Sequence, residues 1–184
     1  GYHSLLKKAN RYGGAFLCDG VGLGKTYIGL MLIERLLVKE HKYVALFVPK
    51  AAREAVWEAA LKQRLPEIFD GFYGFKIFNH TDILREKMDH KMEQVLKQAD
   101  VILIDEAHHF RNTGTHGEED GQRQSRYWQM FDLAKGKQVY MLTATPVNNR
   151  LTDLQHMIEL FSREQTDYFK DAPLGIHSLR GHIQ

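Results

Sequence analysis

The chain has 184 residues, of which 43% are hydrophobic and 26% charged, the size and composition of one ordinary globular domain. A net charge of +2 and a pI near 8.6 do not identify a polyanion partner, although a local basic groove fits inside so balanced a total. A single cysteine, Cys18, excludes an intrachain disulfide, and no run approaches the ~20 apolar residues of a membrane span.

No Cys/His cluster has zinc-site spacing, and His108 and His109 are adjacent rather than one helical turn apart, so a histidine metal site is not expected. The expectation is a soluble intracellular protein, cytoplasmic or nucleoid-associated, with no membrane partner. The opening "GYHSLLKKANRYGG" is too polar for a signal peptide, and a start at Gly1 rather than Met suggests an excised segment or a processed terminus.

In chain order, a helix in "YHSLLKKANRYGG" precedes the strand-like run "AFLC" (15–18) and the helical pattern "TYIGLMLIERLLVKE" (26–40). "VALFV" (44–48) leads to "AAREAVWEAALKQRL" (51–65), and "FKIF" (75–78) leads to "DILREKMDHKMEQVLKQ" (82–98). "VILI" (101–104), "RYWQMFDLAK" (126–135) and "VYML" (139–142) complete the series. Strands alternating with helices predict right-handed βαβ units, hence an α/β fold with a mainly parallel sheet and helices on both faces. The helix after the glycine loop is apolar on more than one face, through Ile28, Met31, Leu32 and Leu36 with Leu30, Ile33 and Leu37, and should be well buried. The mostly charged pattern at 82–98 should lie outside. "RNTGTHGEEDGQRQS" (111–125) has no large apolar residue, which predicts a mobile loop. No repeat or Pro/Gly-rich linker divides the chain, and residues 147–184 are fewer than the ~50 of a small domain.

Between the first strand and its helix stands "CDGVGLGKT". Nucleotide phosphates are bound best where backbone N–H groups converge and a helix N-terminus points at them. Gly20, Gly22 and Gly24, with Val21 and Leu23 between them, allow the backbone to wrap closely, Lys25 can reach the terminal phosphates, and the Thr26 hydroxyl can hold Mg²⁺. Asp19 stands where the strict phosphate-loop pattern has its first glycine. A surface turn before a buried helix would explain the glycines but not a lysine in the first turn of an apolar helix.

"VILIDEAHH" then places Asp105 and Glu106 at the end of a hydrophobic strand, where a parallel sheet presents its ligand-facing edge. Asp105 suits the Mg²⁺ shell, and Glu106 suits orienting and polarising the attacking water. At the end of the next strand, "MLTATPVNN" supplies Thr143 and Thr145, placed to sense the phosphates through Glu106 or His108.

In this order, "CDGVGLGKT", "IDEAHH" and "LTATPVNNRLTDLQHMIELF" resemble motifs I, II and III of superfamily-two helicases, most closely the Swi/Snf-like DNA-dependent ATPases. In that family the first motif commonly carries Asp where this chain has Asp19. "VALFVPK" (44–50) resembles motif Ia, "IFNHTDIL" (77–84) loosely resembles Ib, and "HHFRN" (108–112) is similar to the stretch after the DEAH box. The resemblance covers nearly all of residues 14–161.

The resemblance implies a RecA-like P-loop NTPase fold, two such lobes in the whole enzyme, ATP and Mg²⁺ between them, and double-stranded DNA gripped across both without sequence preference. Only the first lobe is matched here, as residues 1–161, with 162–184 extending toward a second lobe that supplies the arginine fingers. The adenine-reading glutamine is expected upstream of Gly1. By the same analogy Pro49, Lys50, Arg53, Arg111 and Asn112 would face the DNA backbone. A strand-separating DNA or RNA helicase, a restriction or defence translocase, and a non-catalytic nucleotide-dependent module remain alternatives.

Overall fold

The computed structural model describes residues 2–18, 24–71, 74–84, 90–117, 123–144, 151–163 and 165. Each expected apolar run becomes a strand: β1 (Gly14–Cys18), β2 (Val44–Val48), β3 (Phe75–Asn79), β4 (Val101–Asp105) and β5 (Gln138–Thr143). All pair in parallel, in the order β1-β5-β4-β2-β3. The register sets Cys18 beside Thr143 and Leu142 beside Asp105, so the carboxyl ends of β1, β5 and β4 lie next to one another.

The central strands are largely apolar, with polar residues such as Gln138, Asp105 and Thr143 at their ends, because both faces are covered. Val44, Leu46, Val101, Leu103, Tyr140 and Leu142 enter one core, and Ala45, Phe47, Ile102, Ile104, Val139 and Met141 enter the other. The first core is roofed by α1 (Tyr2–Tyr12), α2 (Gly24–Glu34), α3 (Lys50–Ala52), α4 (Ala59–Arg64) and α5 (Pro66–Gly71). The second is covered by α6 (His90–Gln98), α7 (Arg126–Leu133) and α8 (Leu151–Ser162). This is the three-layer, RecA-like α/β arrangement that the strand and helix alternation predicts.

Two helices widen into π-helical stretches. Arg35–Lys39 prolongs α2, and Arg53–Glu58 joins α3 to α4. A π turn brings residue i+5 over residue i, and an Arg–Glu pair of that spacing clips each stretch. Arg35 Nε lies 3.1 Å from Glu40 Oε1, and Arg53 Nε lies 2.8 Å from Glu58 Oε1. Pro66, fixed in φ and lacking an N–H, starts the unexpected short α5.

Three expectations change. The pattern at 82–98 is not one outer helix: the Asp82 carboxylate accepts the Asn79 N–H at 2.8 Å, which turns the chain after β3 into a 3-10 turn, Asp82–Leu84. Asp82, Ile83 and Leu96 are buried, so this segment contributes to the second core. The described parts of 111–125 are tied down rather than loose. Ser125 donates through its hydroxyl to the Thr113 carbonyl and through its N–H to the Thr115 carbonyl at 2.9 Å, and the His116 ring lies 4.2 Å from that of Trp128. Finally, α2 is buried along Leu30, Leu32 and Ile33, but Tyr27 and Met31 remain exposed, so only part of its apolar surface meets the core.

Candidate nucleotide site

Helix α2 begins at Gly24 with no acidic residue in its first turn. Its positive end therefore adds to the charge of Lys25, which is buried, while Thr26 is half-buried beside it. Asp19, Gly20, Val21, Gly22 and Leu23 lie outside the described residues.

Across from this helix end, β4 delivers Asp105 and Glu106. Asp105 is buried, and each carboxylate oxygen already accepts one hydrogen bond: Oδ2 from the Trp57 indole N–H at 2.7 Å, and Oδ1 from the Glu106 backbone N–H at 2.9 Å. A carboxylate has about four lone-pair sites, so half its accepting capacity remains. Burial pushes the Asp105 carboxyl above its ordinary range, the Trp57 bond opposes this, and the neighbouring Glu106 charge adds to it.

Glu106 follows in a left-handed conformation, φ 49° and ψ 51°. A non-glycine residue held there is strained, and such strain persists where the surroundings over-determine it. The result is a side chain aimed back along the sheet edge. Oε1 lies 3.8 Å from Lys25 Nζ, and Oε2 lies 3.1 Å from His108 Nδ1. An ionised carboxylate only accepts, so His108 Nδ1 carries the proton. The same nitrogen is 3.4 Å from Thr143 Oγ1, a long contact to a hydroxyl that is wholly buried at the end of β5. Lys25, Glu106, His108 and Thr143 thus form one chain of contacts from the start of α2 across the ends of β4 and β5. Thr145 lies outside the described residues.

Two participants escape the sequence reading. Trp57 sits in the helical layer well away from either motif in sequence, yet its N–H reaches Asp105. His80, buried just after β3, donates from Nε2 to the Asp105 carbonyl at 2.8 Å. Burial, aided by the nearby His109, lowers the His80 pKa to about 4, so its ring is neutral at ordinary pH. A signal existed for each: Trp57 is one of only two tryptophans, and His80 interrupts the polar turn after an apolar strand.

The residues assigned by analogy to DNA fall in two places. Pro49, half-buried, and Lys50, exposed, follow the end of β2, and Arg53 is half-buried and engaged by Glu58. Lys50, Arg53, Glu54, Glu58 and Asn79 line an open groove of about 720 Å³ that carries both signs of charge. Arg111 lies after β4, with Nε 3.9 Å from Asp153 Oδ2 in the first turn of α8, and its carbonyl accepts from His156 Nδ1 at 2.8 Å. Asn112 beside it is exposed.

Among proteins of known structure, the fold matches the Sulfolobus solfataricus SWI2/SNF2 ATPase core in complex with dsDNA, with a TM-score of 0.65 and 20% identity. That match covers 92% of this chain and 36% of the other. The uncharacterized ATP-dependent helicase YqhH of Bacillus subtilis (strain 168) is 29% identical over 165 residues, 85% of this chain and 27% of its own length. The chain therefore spans about a quarter to a third of these relatives. Together with the family match that follows, these likenesses bear out the resemblance of the motifs to a superfamily-two first lobe. The profile of the Type III restriction enzyme, res subunit, matches residues 6–148, well over half of the sequence, and the chain belongs to that family.

Proposed function

We propose that residues 1–161 form the ATP-binding lobe of a DNA-dependent ATPase that translocates on double-stranded DNA, with 162–184 leading toward a second lobe that completes the site. The observation that carries this reading is the chain of contacts from Lys25 through Glu106 and His108 to Thr143, which links the start of α2 to the adjoining ends of β4 and β5.

ATP enters between Lys25 and Glu106, where the α2 N-terminus and the lysine meet the β- and γ-phosphates. Glu106 holds the attacking water in line with the γ-phosphorus. As the new P–O bond forms and the bond to the β-γ bridging oxygen breaks, the carboxylate takes the water's proton, leaving ADP and phosphate. His108 shares the same carboxylate, so a change at Glu106 is transmitted to Thr143 and the start of motif III.

The residues also fit a magnesium ion. Among the described residues no three His, Cys, Asp or Glu side chains converge into a cage, and Mg²⁺ needs none, being held by one or two carboxylates, waters and substrate phosphates. Thr26 and Asp105 would hold it, and a cation beside Asp105 offsets the burial that disfavours its charge. When bound, it would neutralise developing phosphate charge.

Duplex DNA is supported by the likeness to an ATPase core solved with dsDNA and by Lys50, Arg53, Arg111 and Asn112 at the same edge of the sheet. Family membership favours a restriction-type translocase as the particular setting. The test is steady-state ATP turnover by the full-length protein with and without linear duplex. Several-fold stimulation by duplex, lost in Lys25→Ala, is expected; turnover indifferent to nucleic acid removes DNA from the reading. A strand-displacement assay separates translocation from unwinding.

A further inference from the structure

Trp57 is wholly buried between two parts of the site that are far apart in sequence. On one side its indole N–H donates to Asp105 Oδ2 at 2.7 Å. On the other its ring presses against Gly29 of α2, one turn beyond Lys25. A Cβ added to Gly29 would stand 3.1 Å from Trp57 Cζ3 and 2.5 Å from Cη2, the latter closer than real side chains come without movement. Glycine here serves close approach, which brings the helix bearing Lys25 and Thr26 down onto the indole.

The second oxygen of the same carboxylate accepts the Glu106 N–H at 2.9 Å, within the strained left-handed turn. A rotation of the Asp105 carboxylate therefore loosens the backbone of Glu106 as well. A buried indole needs a partner for its N–H, and a leucine or phenylalanine would fill the space without one. The carboxylate contact is thus more than packing requires.

We propose that Trp57 is a positioning residue: one rigid indole sets the separation between the Lys25–Thr26 end of α2 and the Asp105–Glu106 carboxylates, and orients Asp105 toward the cation it would share with Thr26. The proposal rests on the nucleotide reading above. Groups behind metal ligands typically change metal affinity by roughly 10- to 100-fold when removed, whereas a packing residue changes stability and leaves the folded site unaltered.

With only Trp57 and Trp128 in the chain, the ¹⁵N spectrum of the indole groups holds two resonances, which Trp128→Phe assigns. We expect Trp57→Phe, checked as folded by circular dichroism, to require about ten-fold more Mg²⁺ for half-saturation at fixed ADP, a loss larger than any it shows in ADP affinity measured in EDTA. Gly29→Ala keeps the N–H but displaces the ring, so it should shift the Trp57 resonance and also raise the Mg²⁺ requirement. Equal Mg²⁺ half-saturation in wild type and Trp57→Phe, both binding ADP, overturns the proposal and leaves the nucleotide reading standing. A wild-type spectrum unmoved by Mg²⁺ and ADP instead removes the nucleotide reading, and the proposal with it.

Discussion

Glu106 shows strain and chemistry at the same residue. Its left-handed backbone turns the carboxylate toward Lys25 and His108, and strain of this kind costs on the order of 1–3 kcal/mol. Glu106→Gly should therefore melt higher than Glu106→Gln, by about 1 kcal/mol in unfolding free energy, although both lose hydrolysis. In the full-length enzyme, Glu106→Gln should keep ATP binding while kcat falls by roughly 10²- to 10⁴-fold; near-normal turnover would move the catalytic role elsewhere. His80 gives a pH signature. Its pKa of about 4 in the folded protein lies below the ordinary 6.5, so the unfolded chain binds the extra proton between those values. Stability is unaffected above the upper value and is lost as pH falls through the window, by about 3 kcal/mol in all. His80→Gln, which keeps a donor for the Asp105 carbonyl, should flatten that slope in urea unfolding between pH 7 and 4.5. An unchanged slope would mean that His80 binds protons alike in the native and unfolded chain.

Elements position these residues through caps and close approaches. Ser125 caps α7, accepting from the Trp128 N–H at 3.5 Å, and donates to the Thr113 carbonyl of the stretch that follows the DEAH box. Loss of an N-cap hydroxyl costs about 1 kcal/mol, and here it also frees the connection between Arg111 and α7. Ser125→Ala should lower stability by about that amount and speed amide hydrogen exchange at residues 113–117. Exchange unchanged there would show that the backbone bond from the Ser125 N–H to Thr115 suffices. At the other edge, a Cβ on Gly14 would lie 2.4 Å from the Phe161 ring, so β1 and α8 are seated against each other by glycine as α2 and Trp57 are.

At the scale of the whole molecule, the chain spans 27% of YqhH and 36% of the Sulfolobus ATPase core. Phosphoryl transfer needs the charge developing on the γ-phosphate neutralised, and a missing arginine finger costs roughly 10³- to 10⁵-fold in rate. If a second lobe supplies that charge, as proposed, the 184-residue chain should fold, bind nucleotide weakly and hydrolyse ATP negligibly, with duplex present or absent. Adding the second lobe, in cis or in trans, should restore DNA-dependent turnover. Robust DNA-stimulated hydrolysis by the chain alone would require a complete site within these residues or between copies of the chain. Among the described residues no helix is long and apolar enough to cross a membrane.

The sequence by itself determined the order of the strands and of the main helices, and it named the residues proposed to face phosphate. Both are local: a buried parallel strand is apolar through its middle, and Lys25, Thr26, Asp105 and Glu106 stand at strand-to-helix junctions whose chemistry is written in consecutive residues. Only the tertiary structure decided that β5 lies between β1 and β4, which draws Thr143 toward His108. It alone decided that Trp57 reaches Asp105 and that Arg53 is engaged by Glu58 in a π turn. Periodicity could not reveal these, because a 3.6-residue pattern assumes the α register, and a contact between distant segments depends on how closely Gly29 lets two layers approach.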